Sequence, residues 1–436
     1  MKLYKEITVL LFFFWPILML PQEELKLEEA IAIAMERNYD LKIARNNVAI
    51  ATVEADLLNS GYLPRVSASG GINYSNENQS VTFADGTTTA IDGAETESYN
   101  ASLTAEYTLF DGMERKFKQD RNNENLLLNE LQHRQEIENT LISIYENYFN
   151  VAFQKQVVEN LKLNLTNSTD RLDRAIRQLK YGQGTTLDEL NAQVDLNNDS
   201  ISYIEAVRDL NNLKRNFNLV LGRDVRTLFT IDTIVSFQNV LSLEKVLAQM
   251  KKSNVQLVLA ARNITLSELD LKINRATFLP KLSGSVAYQW NESLNPPTSF
   301  ALENETYGLN LGLNLSWNIF DGGSSRTKVK KTKIDQRNRE IELIRIKETV
   351  LADTYNAYET YSIAQYTLTA EAKNVGTNAL NFQRTQKQYS LGQVTTVEFR
   401  QAQINLFNAR NNYAKAKYDL KLAEIRLLQL GGMLIN

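Results

Sequence analysis

Leu309-Asn-Leu-Gly-Leu-Asn-Leu-Ser-Trp-Asn-Ile-Phe-Asp-Gly322 is the stretch whose reading decides the fold. Leu309, Leu311, Leu313, Leu315, Trp317 and Ile319 alternate with Asn310, Gly312, Asn314, Ser316 and Asn318, a period of two that predicts a strand with one apolar and one polar face. Leu282, Gly284, Val286, Tyr288 and Trp290 alternate in the same way, and so do residues 66–74 and 99–109 nearer the N-terminus. Four such strands are open to two readings. In a sandwich the apolar face meets a second sheet, whereas in a transmembrane barrel it meets lipid. About twelve residues tilted by roughly 45° cross some 28 Å, close to the hydrocarbon thickness of a bilayer. Tyr74, Tyr99, Tyr107, Tyr288, Trp290 and Trp317 lie toward the ends of the segments, where a membrane aromatic girdle belongs, and the barrel reading is preferred. Residues 76–97 and 291–306, rich in Asn, Thr and acidic side chains, are expected to be external loops. Four strands cannot close a barrel, because open edges in lipid leave backbone groups unpaired. A dimer would give about eight strands and a filled interior, and a trimer about twelve and a lumen.

The chain repeats itself. Leu27-Glu28, Asn38, Ala44 and Leu63-Pro64 recur without a gap as Leu243-Glu244, Asn254, Ala260 and Leu279-Pro280. Phe110-Asp111-Gly112 recurs as Phe320-Asp321-Gly322, and Gly182-Gln183 with Thr185-Thr186 recurs as Gly392-Gln393 with Thr395-Thr396, at a slightly shorter offset. The change of offset places a length-tolerant loop between the two sets of marks. The implied division is 22–222 and 241–436 as two repeats, with 223–240 as a linker.

Helices fill the rest. Apolar residues at helical spacing run from Leu27 to about Leu58 before Gly61 and Pro64. Met113 to Tyr181 holds neither Gly nor Pro, enough for roughly 100 Å of helix. After the turn at Gly182 and Gly184 a second helix is expected from Leu187 to Leu221, and the second half predicts the same pair at 324–391 and 397–430. The first helix and the returning one together nearly match the long one, so they can stack end to end beside it. Apolar residues along these helices are sparse, which suits a wall wet on both surfaces.

Composition narrows the function. There is no Cys and a single His, His133, inside the long helix, so thiolate metal sites, disulfides and a catalytic histidine cluster are not expected. The six Met are scattered, unlike a copper-handling cluster. A net charge of −3 offers no field for nucleic acid. Lys2 and Lys5 ahead of the apolar run Val9 to Leu20 read as an export signal over residues 1–21. Without Cys, no lipid anchor through a thioether is expected.

The Leu25-x-Leu27-x-x-Ala30 start, the Leu-Pro before a strand, Phe-Asp-Gly after the second strand and the Lys180-Tyr181-Gly182 and Tyr389-x-x-Gly392 turns, in this order, resemble the TolC family of outer-membrane efflux proteins. The resemblance implies an α+β membrane protein: four transmembrane β-strands per chain in a trimeric twelve-stranded barrel, continued by a long α-helical tunnel in the periplasm. It implies the outer membrane of a Gram-negative bacterium as the location. The function implied is a passive exit duct, not an enzyme and without cofactor or metal, joined to an inner-membrane transporter by a periplasmic adaptor (membrane fusion) protein. A type I protein secretion duct and a non-conducting coiled-coil interaction protein are the alternatives. The family's gate positions fall on Tyr389, Asp188 and Glu398, while its gate arginine falls on Val394 and its second acidic position on Gln401. Its adaptor-docking tips fall on Gly182, Gln183, Gly184 and Thr185 and on Gly392, Gln393, Val394 and Thr395. Asp111-Gly112 and Asp321-Gly322 read as strand-to-helix turns.

Overall fold

The computed structural model describes residues 24–238 and 242–435; the export signal expected over 1–21 lies outside them. In chain order the elements are β1 (Glu24–Leu25), α1 (Leu27–Arg37), α2 (Tyr39–Glu54), β2 (Arg65–Thr82), β3 (Thr88–Phe110), α3 (Glu114–Lys180), α4 (Thr186–Val220), β4 (Thr230–Ile231), α5 (Leu243–Ser253), α6 (Val255–Ala276), β5 (Lys281–Leu294), β6 (Glu303–Ser316), α7 (Ser324–Ser390) and α8 (Thr396–Leu430). The chain forms two compact units, and each takes segments from both halves of the sequence. Among the described residues no helix is long and apolar enough to cross a membrane.

The first unit comprises 24–38, 140–238 and 360–424. Its core gathers Leu25, Ile144, Phe149, Phe217, Phe229 and Ile231, with Tyr148 and Tyr418. Phe149 stacks on Tyr418 at 5.3 Å between ring centroids and meets Tyr148 edge-on at 5.6 Å. A short parallel pairing of β1 with β4 crosses this core, so the stretch expected to be a plain linker carries a strand. The Tyr148 hydroxyl reaches the carbonyl of Asp232 at 3.2 Å and Lys155 donates to that of Ile231 at 2.8 Å, tying the segment down through backbone groups that no sequence period marks.

The second unit comprises 39–139, 242–359 and 425–435 and contains the sheet, ordered β2-β3-β5-β6 and antiparallel throughout. Its register puts Val66, Ala105, Val286 and Leu311 in one row and Ala68, Leu103, Tyr288 and Leu309 in the next, so the alternation seen in the sequence becomes one continuous apolar face. That face is bare: Ile72, Leu311 and Leu313 are about three-quarters exposed. The opposite face is polar, with Ser69 bonded to Ser102 and Asn310 donating to Gln289. Among the described residues β2 and β6 have no partner on their outer edges.

The strands run further than the alternation suggested. Of the regions expected to be loops, 76–97 is mostly strand and 291–306 is half strand, and the turns shrink to 83–87 and 295–302. Polar side chains on both faces do not weaken a backbone ladder, and here it continues through Gln79 opposite Ile91 to Thr82 opposite Thr88. A tight turn closes it, with the Thr87 N–H donating to Asp85 at 2.9 Å. Tyr74, Tyr99 and Trp290 therefore lie within the strands rather than at their ends. At the other end β6 stops at Ser316, where the Trp317 indole donates to the carbonyl of Phe278. Asp321 then accepts from the N–H of Ser325 at 2.8 Å to start α7, and Asp111 from that of Arg115 at 3.1 Å to start α3.

The helix expected from Leu27 to Leu58 is broken at Asn38, and α5 and α6 are divided in the same way at Asn254. In the second unit Asn254 Oδ1 accepts from the N–H groups of Gln256 and Leu257 at 3.1 and 3.2 Å, capping α6, while its Nδ2 donates to the carbonyl of Leu430 at the end of α8, 3.0 Å away. In the first unit Asn38 Nδ2 reaches the carbonyl of Val220 at the end of α4, 2.8 Å away. Each junction also needs a glycine. Gly222 (φ +69°) and Gly432 (φ +65°) lie so close that an added Cβ would stand 2.3 Å from the carbonyl oxygen of Arg37 or 2.5 Å from that of Ser253. Asn254→Ala removes a cap and leaves the Leu430 carbonyl buried without its donor. It should cost about 2–3 kcal/mol, read as a lowered unfolding midpoint by circular dichroism; a loss under about 0.5 kcal/mol would contradict the junction.

Candidate functional site

Two turns within the first unit collect most of the sequence-predicted positions. After α3 the N–H of Gln183 bonds back to the carbonyl of Gln178 at 2.8 Å, and after α7 that of Gln393 bonds back to Gln388 at 2.9 Å, so both helices end in the same loop. Gly182 and Gly392 hold φ +68° and +75° with open space around the missing side chain. The next helix starts each time on a capping box. The N–H of Asp188 donates to Thr185 Oγ1 at 3.2 Å, and Asp188 Oδ2 accepts the Thr185 N–H at 3.1 Å and its hydroxyl at 2.6 Å. Glu398 repeats this with Thr395 at 3.2, 2.8 and 2.9 Å. The Thr185 hydroxyl, and then its N–H, hold the Asp188 carboxyl below the usual carboxylate range. The Thr395 N–H, followed by its hydroxyl, does the same for Glu398. Both carboxylates are exposed, and both are engaged by their own helix starts.

Tyr389 is turned elsewhere. Its ring stacks on Phe399, 4.6 Å away and 8° from parallel, and the Arg174 guanidinium lies 4.7 Å from its centroid. Arg174 also donates to the carbonyl of Ser390 at 3.2 Å, and Phe399 is buried with Phe382 beside it at 5.5 Å. Tyr389 and Asp188 thus face separate partners. Val394, where the resemblance expects arginine, brings no charge, and the cation beside the tyrosine comes instead from Arg174 on α3.

Sequence reasoning missed a second cluster, about three helical turns from the first tip. Arg171 is buried and donates to Asp195 at 2.9 Å and to Ser168 at 2.9 Å, and Ser168 in turn bonds to Asp199. Arg400 grips Asp199 with both terminal nitrogens, at 2.7 and 2.6 Å. Three helices, α3, α4 and α8, are thereby joined by four charges. Burial opposes ionisation of Asp199, yet the hydrogen bonds from Arg400 and Ser168 and the two guanidinium charges prevail and keep its carboxyl below the ordinary value. Burial pulls the Arg171 guanidinium down, with Asp195 acting against it. Arg171 and Asp199 are the buried members, whereas Asp195 and Arg400 are partly exposed, so removing the partner of a buried one costs at most about 3–5 kcal/mol. Asp195 and Asp199 one turn apart were the only local signal; Arg400 stands two hundred residues away in sequence, at a separation of 201.

The sequence profile of the family described as outer membrane efflux protein matches residues 30–223 and 246–433. The alkaline protease secretion protein AprF of Pseudomonas aeruginosa is 22% identical over 426 residues, covering 93% of this chain and 86% of that protein. The outer membrane protein TolC of Vibrio cholerae is 20% identical over 298 residues, 67% of this chain and 68% of that protein. The crystal structure of the CmeC outer membrane channel of Campylobacter jejuni superposes with a TM-score of 0.79 at 13% identity, covering 94% of this chain and 86% of that one.

The two caps have a definite pH dependence. Since both carboxyls are held low, their contribution is complete above the ordinary carboxylate range, near pH 4, and is lost as pH falls through the depressed values. Protection factors for hydrogen exchange in the first turns of α4 and α8, taken relative to the intrinsic rate at each pH, should fall only below that range, and Thr395→Ala should lower protection in the first turn of α8 by about fivefold at neutral pH. Unchanged protection in the variant would refute the cap.

Proposed function

The chain belongs to the outer membrane efflux protein family, and from that premise we propose that it is the outer-membrane exit duct of a tripartite efflux system. The observation that carries this reading is the open sheet: an exposed apolar face whose two edges have no partner among the described residues. Such a face is stable against lipid, and such edges are tolerable in a bilayer only when each is paired by a strand of another copy. Three copies close about twelve strands, wide enough for a lumen, where two would leave a filled barrel. The long helices α3, α4, α7 and α8 then form the periplasmic tunnel wall, and solutes pass passively, driven by an inner-membrane transporter.

The two hairpin tips are the proposed docking points for a periplasmic adaptor. They are the exposed ends of α3–α4 and α7–α8, and Gly182 and Gly392 leave open space into which a partner can pack. Asp188, Glu398 and Tyr389 are proposed to line the narrow end. Around a threefold axis the carboxylates, ionised because their caps hold them low, favour cations. The similarity to AprF, over nearly the whole chain, supports protein secretion as a second reading of the cargo.

Purified protein should run as a heat-modifiable trimer in detergent and conduct, with cation preference, in planar bilayers. Asp188→Asn with Glu398→Gln should reduce that preference by about half or more. A monomer that never conducts would end the duct reading, whereas unchanged selectivity would move the filter elsewhere. Gly392→Trp should leave trimer and conductance intact yet abolish co-purification with the adaptor, and undiminished complex formation would rule out this tip as the dock.

A further inference from the structure

The opening stretch of α7, Ser324 to Lys333, carries Arg326, Lys328, Lys330, Lys331 and Lys333, and no acidic residue lies in its first turn. Cations at the start of a helix oppose its dipole, so the arrangement weakens the local structure. The first repeat is built differently. α3 opens on Glu114, and Arg115, Lys118 and Arg121 pair with the carboxylates of Asp111, Glu114 and Asp270. On α7 the ion pair among the described residues is Arg345 with Glu342, well beyond the basic stretch, and the five cations are all exposed. They therefore lack a counter-charge from the described chain.

What precedes them is the bare end of the sheet. β6 stops at Ser316, and Trp317, Ile319 and Phe320, all exposed, lead into α7. The Trp317 indole bond to the carbonyl of Phe278 draws Phe278 and Leu279, both also exposed, to the same end. At about 1.5 Å per residue the five cations lie within roughly 15 Å of the helix start. Apolar surface, aromatic rings and unpaired cations thus follow one another in the order in which a bilayer presents hydrocarbon, interface and head groups. We propose that Arg326, Lys328, Lys330, Lys331 and Lys333 bind the head groups of anionic phospholipid in the periplasmic leaflet, an inference that rests on the duct reading, in which the apolar face lies in lipid. The lipid phosphate supplies the missing counter-charge and offsets the unfavourable dipole, while the acyl chains of the same molecule meet Ile319 and Phe320. Each Lys or Arg beside an anionic surface strengthens such attachment by about fivefold. The collar fixes the depth at which the barrel sits in the membrane.

Trp317 supplies the probe, because the chain has two other tryptophans, Trp15 and Trp290. Full-length protein carrying Trp15→Phe and Trp290→Phe is reconstituted as the trimer in phosphatidylcholine bilayers with either brominated phosphatidylglycerol or brominated phosphatidylcholine. Quenching of Trp317 then reports the relative affinity for the two lipids. The anionic lipid should be preferred by about fivefold or more at about 0.1 M salt, and by less than about twofold at about 0.5 M salt. The same loss should follow Arg326→Gln, Lys328→Gln, Lys330→Gln, Lys331→Gln and Lys333→Gln combined. Equal quenching by the two lipids at low salt, or a preference retained in the combined variant, overturns the proposal. A variant with altered ion selectivity but unaltered lipid preference also overturns it, since the cations would then serve the lumen. Should the variant fail to assemble, the salt series decides alone. A Trp317 quenched by neither lipid strikes instead at the duct reading.

Discussion

A single asparagine amide lets one helix end where another begins. Helix termini leave backbone groups without intrahelical partners, and a wall made of long helices cannot afford a break unless those groups are satisfied. Asn254 does this from both sides, its oxygen serving the first N–H groups of α6 and its nitrogen the last carbonyl of α8. Asn38 makes the corresponding bond to the end of α4. Without these amides, α4 and α8 would stop at exposed or unsatisfied ends, and the two halves of the sequence would lose their shared plan.

The legible part of the fold was the part governed by short-range periodicity. The apolar rows of the sheet follow directly from Leu309 to Leu315 and their counterparts, and the four long helices follow from the lack of Gly and Pro. Strand length is not legible in the same way, because polar composition reads as loop, whereas the ladder from Asn76 to Thr82 is held by backbone groups that composition does not report. The breaks at Asn38 and Asn254 were invisible for another reason. Asparagine is only mildly unfavourable in a helix, and at both positions it adopts an extended backbone while its side-chain amide donates to a carbonyl 182 or 176 residues away.

At the tips the resemblance points to Asp188, Glu398 and Tyr389, and the structure gives each of them local partners the resemblance does not name. Asp188 and Glu398 fulfil a local duty as third residues of capping boxes, which any sequence with Thr three positions earlier would announce. Tyr389 takes its cation from Arg174, a position no alignment of tip motifs would single out. The charges that join α3, α4 and α8 lie far apart in the chain and meet only once the helices are packed.

The two tip turns are complete in themselves: each ends its helix with a backbone loop and begins the next with a reciprocal threonine–carboxylate box, all from residues within one short segment. A macromolecule that meets them encounters a surface already frozen in its final shape. For the docking proposed at these tips, little chain entropy would be surrendered on association, so modest contact area at a few knuckles would suffice for binding.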